Sequence, residues 1–113
     1  MEEREFLVLA DAELARLEQA LDAVLDRGDA DFDVELKPGG IIEIVCEDGS
    51  KIIVNRHAAA REIWLAARSG GFHFRPPETE GGAWLGTRDG VPLPAVLSRC
   101  LSEQTGESLS LAW

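Results

Sequence analysis

The spacing of apolar residues sets the first element. Residues 3–27 contain neither Pro nor Gly, and at 100° per residue Phe6, Ala10, Leu14, Leu17, Leu21 and Val24 share one stripe. This predicts one long amphipathic helix. Asp11, Glu18, Asp22 and Asp26 form a second stripe beside it. Acids in the first turn suit the helix dipole, and Gly28 is a natural stop. The period then drops to two. Asp31–Leu36 alternates strictly, with Phe32, Val34 and Leu36 on one side and three carboxylates on the other. Pro38-Gly39-Gly40 reads as a turn and Ile41–Glu47 as a second strand. Asp48-Gly49 predicts a tight hairpin before a strand over Lys51–Arg56. Arg61–Arg68 alternates again, with Ile63 and Leu65 on one face and Glu62, Trp64 and Ala66 on the other. Gly70-Gly71 breaks that run, and Phe72-His73-Phe74 is a short strand. Pro76-Pro77 to Gly82 is a loop, and Trp84-Leu85 predicts a sixth strand. Pro92 heads a second amphipathic helix carrying Leu93, Val96, Leu97, Cys100 and Leu101, which Gly106 ends. Leu109–Trp113 predicts an apolar tail laid against the body.

Helix, five or six meander strands, helix is the order of an α+β fold. It predicts a two-layer α-β sandwich with an antiparallel sheet, in one domain spanning residues 1–113. Each helix has a single apolar stripe, so both must cover the same sheet face. The other face is then open to water, with Glu43, Lys51, Ile53, Asn55 and Trp64 pointing outward.

Charge changes this picture by its position. The formal net charge is −10 over 113 residues. Residues 1–35 hold twelve acids against three Arg, a net of −9, and the remainder is close to neutral. A chain lacking a basic footprint is not expected to bind nucleic acid or an anionic membrane surface. It is expected to bind cations or a basic protein surface. No apolar run approaches a membrane span. The start, Met-Glu-Glu-Arg-Glu, is too acidic for a signal or transit peptide. Cys46 and Cys100 lie outside any C-x-x-C spacing, in apolar patterns, and predict buried thiols in a reducing cytosol.

Most chemistry-bearing motifs are absent. Asp29-x-Asp31-x-Asp33 opens like an EF-hand loop, but the sixth position is Val34 and the twelfth is Gly40, where Gly and a bidentate Glu are required. There is no P-loop, no G-x-G-x-x-G and no G-x-S-x-G. His57 and His73 do not make a zinc site with two scattered Cys, and His73 in a short strand reads as a structural residue.

What remains is a row of carboxylates. Glu18 and Asp22, and Asp22 and Asp26, are i,i+4 pairs, each costing about 0.2–0.5 kcal/mol of helix stability through like-charge repulsion. Asp29, Asp31, Asp33 and Glu35 continue the row along an edge strand, with no Lys interleaved. Such a row can simply maintain solubility and block edge-to-edge aggregation. Its confinement to one third of the chain favours a site. Carboxylates alone suit hard ions such as Ca²⁺, Mg²⁺, Mn²⁺, Fe³⁺ and Fe²⁺, and without a caging loop such sites are shallow and labile. Trp64 is the second outlier. It points outward from an alternating strand, as a partner hot spot or as a ring half-covered by neighbouring Arg and Ile side chains.

Glu47-Asp48-Gly49-Ser50-Lys51-Ile52-Ile53-Val54-Asn55-Arg56, then Ile63-Trp64-Leu65-Ala66, then Gly70-Gly71-Phe72-His73-Phe74 resemble the frataxin family in its bacterial form. The resemblance runs from Glu5-Phe6 to Gly106-Glu107, and the ordered set of motifs carries it. It implies two helices on one face of a five- to six-stranded antiparallel sheet. It also implies an iron-binding protein of iron–sulfur cluster assembly, an iron donor or iron-dependent regulator acting on the cysteine desulfurase–scaffold complex. The implied ligands for weakly held Fe²⁺ or Fe³⁺ are Glu18, Asp22, Asp26, Asp29, Asp31, Asp33 and Glu35, with other divalent cations competing. The implied partner contacts are Asp22, Asp26, Asp33, Asn55 and Trp64. The alternative is a metal-independent acidic docking module for a basic protein. Enzymatic iron oxidation ranks last, because no Glu-x-x-His pair is present to build a di-iron site. The chain is expected to be cytoplasmic, and monomeric when iron-free. Three departures from the family pattern stand out. The stretch Asn55-Arg56-His57-Ala58-Ala59-Ala60-Arg61-Glu62-Ile63-Trp64 lacks the family's usual Pro and has Glu62 for its outward Gln. Leu7 occupies a position where His occurs among bacterial relatives. Ala23–Arg27 looks about two residues longer and less acidic.

Repulsion along the row predicts that the melting temperature rises with salt and with Ca²⁺ or Fe²⁺, since an ion bound only by the folded chain stabilises it. Thermal melts across a Ca²⁺ series check this; a flat response would mean the row is not strained.

Overall fold

The computed structural model describes every residue from Met1 to Trp113. Helix α1 (Glu3–Arg27) is followed by strands β1 (Phe32–Lys37), β2 (Ile41–Cys46), β3 (Lys51–His57), β4 (Glu62–Ala67), β5 (Gly70–Arg75) and β6 (Leu85–Gly86), and then by helix α2 (Leu93–Thr105). The strands form one antiparallel sheet in sequence order, β1-β2-β3-β4-β5-β6. Two helices pack against this open sheet, the expected two-layer arrangement.

The core follows from the two periods. The α1 stripe of Phe6, Ala10, Leu14, Leu17, Leu21 and Val24 is buried. It meets the inner row of the sheet, built from Phe32, Ile42, Ile44, Ile52, Val54, Ile63, Leu65 and Phe74. From α2, Leu93, Val96, Leu97, Cys100 and Leu101 close the same core. Trp84 is fully enclosed and meets the Phe6 ring edge-on at 6.0 Å.

Hairpin geometry shifts several expected boundaries by a residue or two. Gly70 and Gly71 do not break the run; they open β5, because Ala67 pairs with Gly70 around a two-residue turn. The sixth strand is Leu85–Gly86, and Trp84 precedes it as a core residue. Pro92 caps α2 from outside, with Leu93 as the first helical residue. Leu36 keeps its expected side without being enclosed there. It shares the inner side of β1 with Phe32 and Val34 but is 58% exposed. It lies on an edge strand, at the lip of an open groove between α1 and the β1–β2 hairpin, beside Leu14, Ala15 and Ile42.

Polar anchors fix the layers. Gln104, at the end of α2, donates through Nε2 to Ser50 Oγ at 2.9 Å and accepts from the Arg68 amide at 3.0 Å. One side chain thus ties α2 to both the β2–β3 and β4–β5 turns. Buried Glu13 accepts from Arg16 and from the Trp113 indole, each at a defined oxygen (2.9 and 2.8 Å), which docks the C-terminal tail on α1. Ser98 and Ser102 accept from the amides of Leu111 and Leu109 at 2.8 and 2.9 Å, so the expected tail does lie against the body.

The open face differs from expectation at Glu43. Glu43 does point away from the helices, but it is only 4% exposed. Lys37 from β1 covers it on one side, and Lys51 from β3 holds its other oxygen at 2.8 Å. Hydrogen bonds from Lys37 and then Lys51 lower its carboxyl pKa to about 2, and in return Glu43 raises that of Lys37.

Burial separates two Leu substitutions. Leu21→Ala should cost about 2–5 kcal/mol, whereas Leu36→Ala should stay within about 0.5 kcal/mol; urea unfolding of both variants checks the contrast. Glu43 sets an acid limb. Its folded pKa lies below the unfolded value of 4.5, so its contribution is complete above about pH 4.5 and is lost as pH falls towards about 2. Glu43→Gln should flatten the stability curve within that window, measured by denaturant unfolding at stepped pH.

Candidate functional site

The carboxylate row occupies the α1 and β1 side of the molecule. Asp22, Asp26, Asp29, Asp31, Asp33 and Glu35 are exposed, and Glu18 is half-buried. Asp22 and Asp26 lie on the helix because the apolar stripe has turned inward beside them. Gly28, in a left-handed conformation at φ 70°, ends the helix and swings the chain towards β1. Asp33 and Glu35 alternate with the inward residues of β1, so they sit opposite Val45 and Glu43 on the open sheet face.

The row is therefore not one flat stripe. It runs along α1, crosses the connecting turn and wraps around the sheet edge. No Lys interleaves with it, as expected, but cations stand beside it at two points. Arg27 Nε pairs with Asp29 Oδ2 at 2.8 Å, and Lys37 Nζ stands 4.0 Å from Glu35. Asp11, on the same helical stripe, pairs with Arg56 of β3. Asp22, Asp26, Asp31 and Asp33 have no such partner within 4 Å.

No three His, Cys, Asp or Glu side chains converge closely enough to hold a metal ion. The donors fit a hard cation by type but form a ridge, not a cage. An ion on this ridge would meet one or two carboxylates and keep water in its other positions. Soft ligation is not on offer: Cys46 and Cys100 are free but buried, and burial raises the Cys46 thiol pKa.

Trp64 is the second part of the site. It does point outward, but its cover differs from expectation. His57 of β3 stacks on it at 3.8 Å between ring centroids and 14° between planes. His73 of β5 stacks at 4.5 Å and 10°. The Trp64 indole N–H donates to Glu62 Oε1 at 2.8 Å, and His73 Nδ1 lies 3.4 Å from the same oxygen. Asn55 is the direct β3 neighbour of Trp64, its amide donating to the Arg56 carbonyl at 3.1 Å. The periodicity shows which residues point outward on each strand but not which strands are neighbours. Register supplies that: Trp64 faces His73, and His57 faces Glu62. A two-residue turn between β4 and β5 was the signal that could have paired Trp64 with His73.

Comparison with known proteins agrees with this architecture. The family of the frataxin-like domain matches residues 1–107. The iron-sulfur cluster assembly protein CyaY of Dechloromonas aromatica is 51% identical over 98% of this chain and 99% of its own length. That of Cupriavidus taiwanensis is 48% identical over 97% and 96%. Among solved structures, the frataxin of Psychromonas ingrahamii superposes with a TM-score of 0.78 at 26% identity, over the whole of both chains. A trimeric frataxin of the yeast Saccharomyces cerevisiae, crystallised as a ferrous complex, gives 0.68 at 25% identity over 95% of this chain and 88% of its own. Sequence, strand order and length agree over nearly the whole chain, and it belongs to the frataxin family, in its bacterial CyaY-type branch.

Proposed function

We propose that this chain is an iron–sulfur cluster assembly protein. Its α1–β1 ridge docks on a basic surface of the cysteine desulfurase–scaffold complex and carries iron weakly as cargo. The observation that carries this reading is the position of the charge. A net of −9 lies in residues 1–35, and its exposed acids run from α1 around the edge strand β1. The relatives named as iron-sulfur cluster assembly proteins support the process, and the yeast ferrous complex supports the ion.

The proposed iron ligands are Glu18, Asp22, Asp26, Asp29, Asp31, Asp33 and Glu35. Of these, Asp22, Asp26, Asp31 and Asp33 are the strongest, because they are exposed and no cation of the chain neutralises them, whereas Glu18 is half-buried and Asp29 and Glu35 each have a cation close by. The proposed partner contacts are Asp22, Asp26, Asp33, Asn55 and Trp64. The chain acts by binding and not by catalysis. Its two His lie on β3 and β5 beside Trp64, not among the acids of α1 and β1. We place it in the bacterial cytoplasm, as a monomer when iron-free. No helix is long and apolar enough to cross a membrane.

One observation favours the metal-independent docking module as a second reading. The carboxylates do not converge, so the ridge suits a broad basic surface at least as well as a single ion.

Iron titration followed by NMR should perturb Asp22, Asp26, Asp31 and Asp33 first; shifts elsewhere with these untouched would overturn the ligand assignment. Asp22→Lys with Asp26→Lys should abolish desulfurase binding, and binding by the native chain should weaken steeply with salt. Affinity unchanged by iron would select the second reading.

A further inference from the structure

We infer that His57 and His73 are positioning residues for Trp64, holding its indole so that a docking partner meets only the ring's rim. This deepens the proposed docking role and rests on it.

Strand register sets the neighbours of Trp64. Trp64 on β4 lies between β3 and β5. His73 is its direct cross-strand neighbour, and His57 is the diagonal one, facing Glu62 two residues away. The two imidazoles come from opposite flanking strands and lie within 14° and 10° of the indole plane. They therefore occupy its two faces. Glu62 takes the indole N–H at 2.8 Å. An aromatic side chain on an open sheet face would ordinarily sample several rotamers; this one is clamped at both faces and at its only polar atom.

The clamp decides the partner chemistry. An aromatic face is negative and attracts cations, while the rim is positive. With both faces filled, no Lys or Arg of a partner can sit over the ring. The rim accepts an aliphatic group, a carbonyl oxygen or the face of another aromatic ring. The Trp64 contact and the ridge therefore select opposite chemistries: the ridge needs cations, and the Trp64 contact excludes them.

The clamp also lowers the cost of docking, because the indole is ordered before the partner arrives. Ordering one side chain at an interface corresponds to roughly a two- to twelvefold change in affinity. His57→Ala and His73→Ala should each weaken binding to purified desulfurase–scaffold complex by such a factor. His57→Phe and His73→Phe, which keep a ring on the indole, should restore it. The loss should be the same at low and high salt, unlike the loss from Asp22→Lys. In the free protein, the double Ala variant should lower the ¹⁵N heteronuclear NOE of the Trp64 indole while leaving that of buried Trp84 unchanged. Failed rescue by Phe, a salt-dependent loss, or an indole as rigid in the double Ala variant as in the native chain would each overturn the clamp. If Asp22→Lys with Asp26→Lys abolishes binding while Trp64→Ala does not affect it, the clamp proposal falls and the ridge reading stands. A native chain that binds no desulfurase would overturn the docking reading and, with it, this role for the clamp.

Discussion

Burial of the α1 stripe against the inner face of the sheet is the contact on which the rest depends. Phe6, Ala10, Leu17, Leu21 and Val24 are enclosed almost completely. Each large aliphatic or aromatic side chain buried there contributes about 1.5–3 kcal/mol relative to exposure. This contact fixes the rotation of the helix about its axis. Once the apolar stripe faces the sheet, Asp22 and Asp26 have no direction left but outward. The repulsion among the acids is tolerated because it is weak, a few tenths of a kcal/mol per pair, beside the burial that imposes it.

The same constraint creates the open face. Two helices with one stripe each cover one side of the sheet and leave the other to charged and aromatic side chains. That side is organised by pairing. Glu43 disappears between Lys37 and Lys51, and Trp64 is enclosed between two imidazoles. Ile53, 36% exposed, is the plainest apolar group left there. Neighbouring outward residues thus cover each other across strands, as cross-strand pairs do in an open antiparallel sheet.

The long helix, the alternating strands and the one-sided core were legible because each rests on local periodicity. The ridge was legible for the same reason: Asp22 and Asp26 are placed by helical spacing, and Asp33 and Glu35 by alternation. Leu36 takes the side that alternation gives it, but alternation gives no depth. At the end of an edge strand the inner side can still be wet. Glu43 was misread as exposed because its cover comes from two other strands. Glu13 counts in the sequence as one more acid of the N-terminal third, yet it anchors Trp113, one hundred residues away. Nothing in its neighbourhood along the chain signals that contact.

The sequence by itself determined which residues form each element, which side each presents and where the charge lies, because a helix or strand fixes these through its own repeat. Only the tertiary structure decided which of those residues meet. It bent the carboxylate row around the sheet edge, brought Lys37 and Lys51 to Glu43 from two other strands, and set Trp64 between His57 and His73. Such contacts depend on strand register and on side chains reaching across from other elements, and no single segment carries that information.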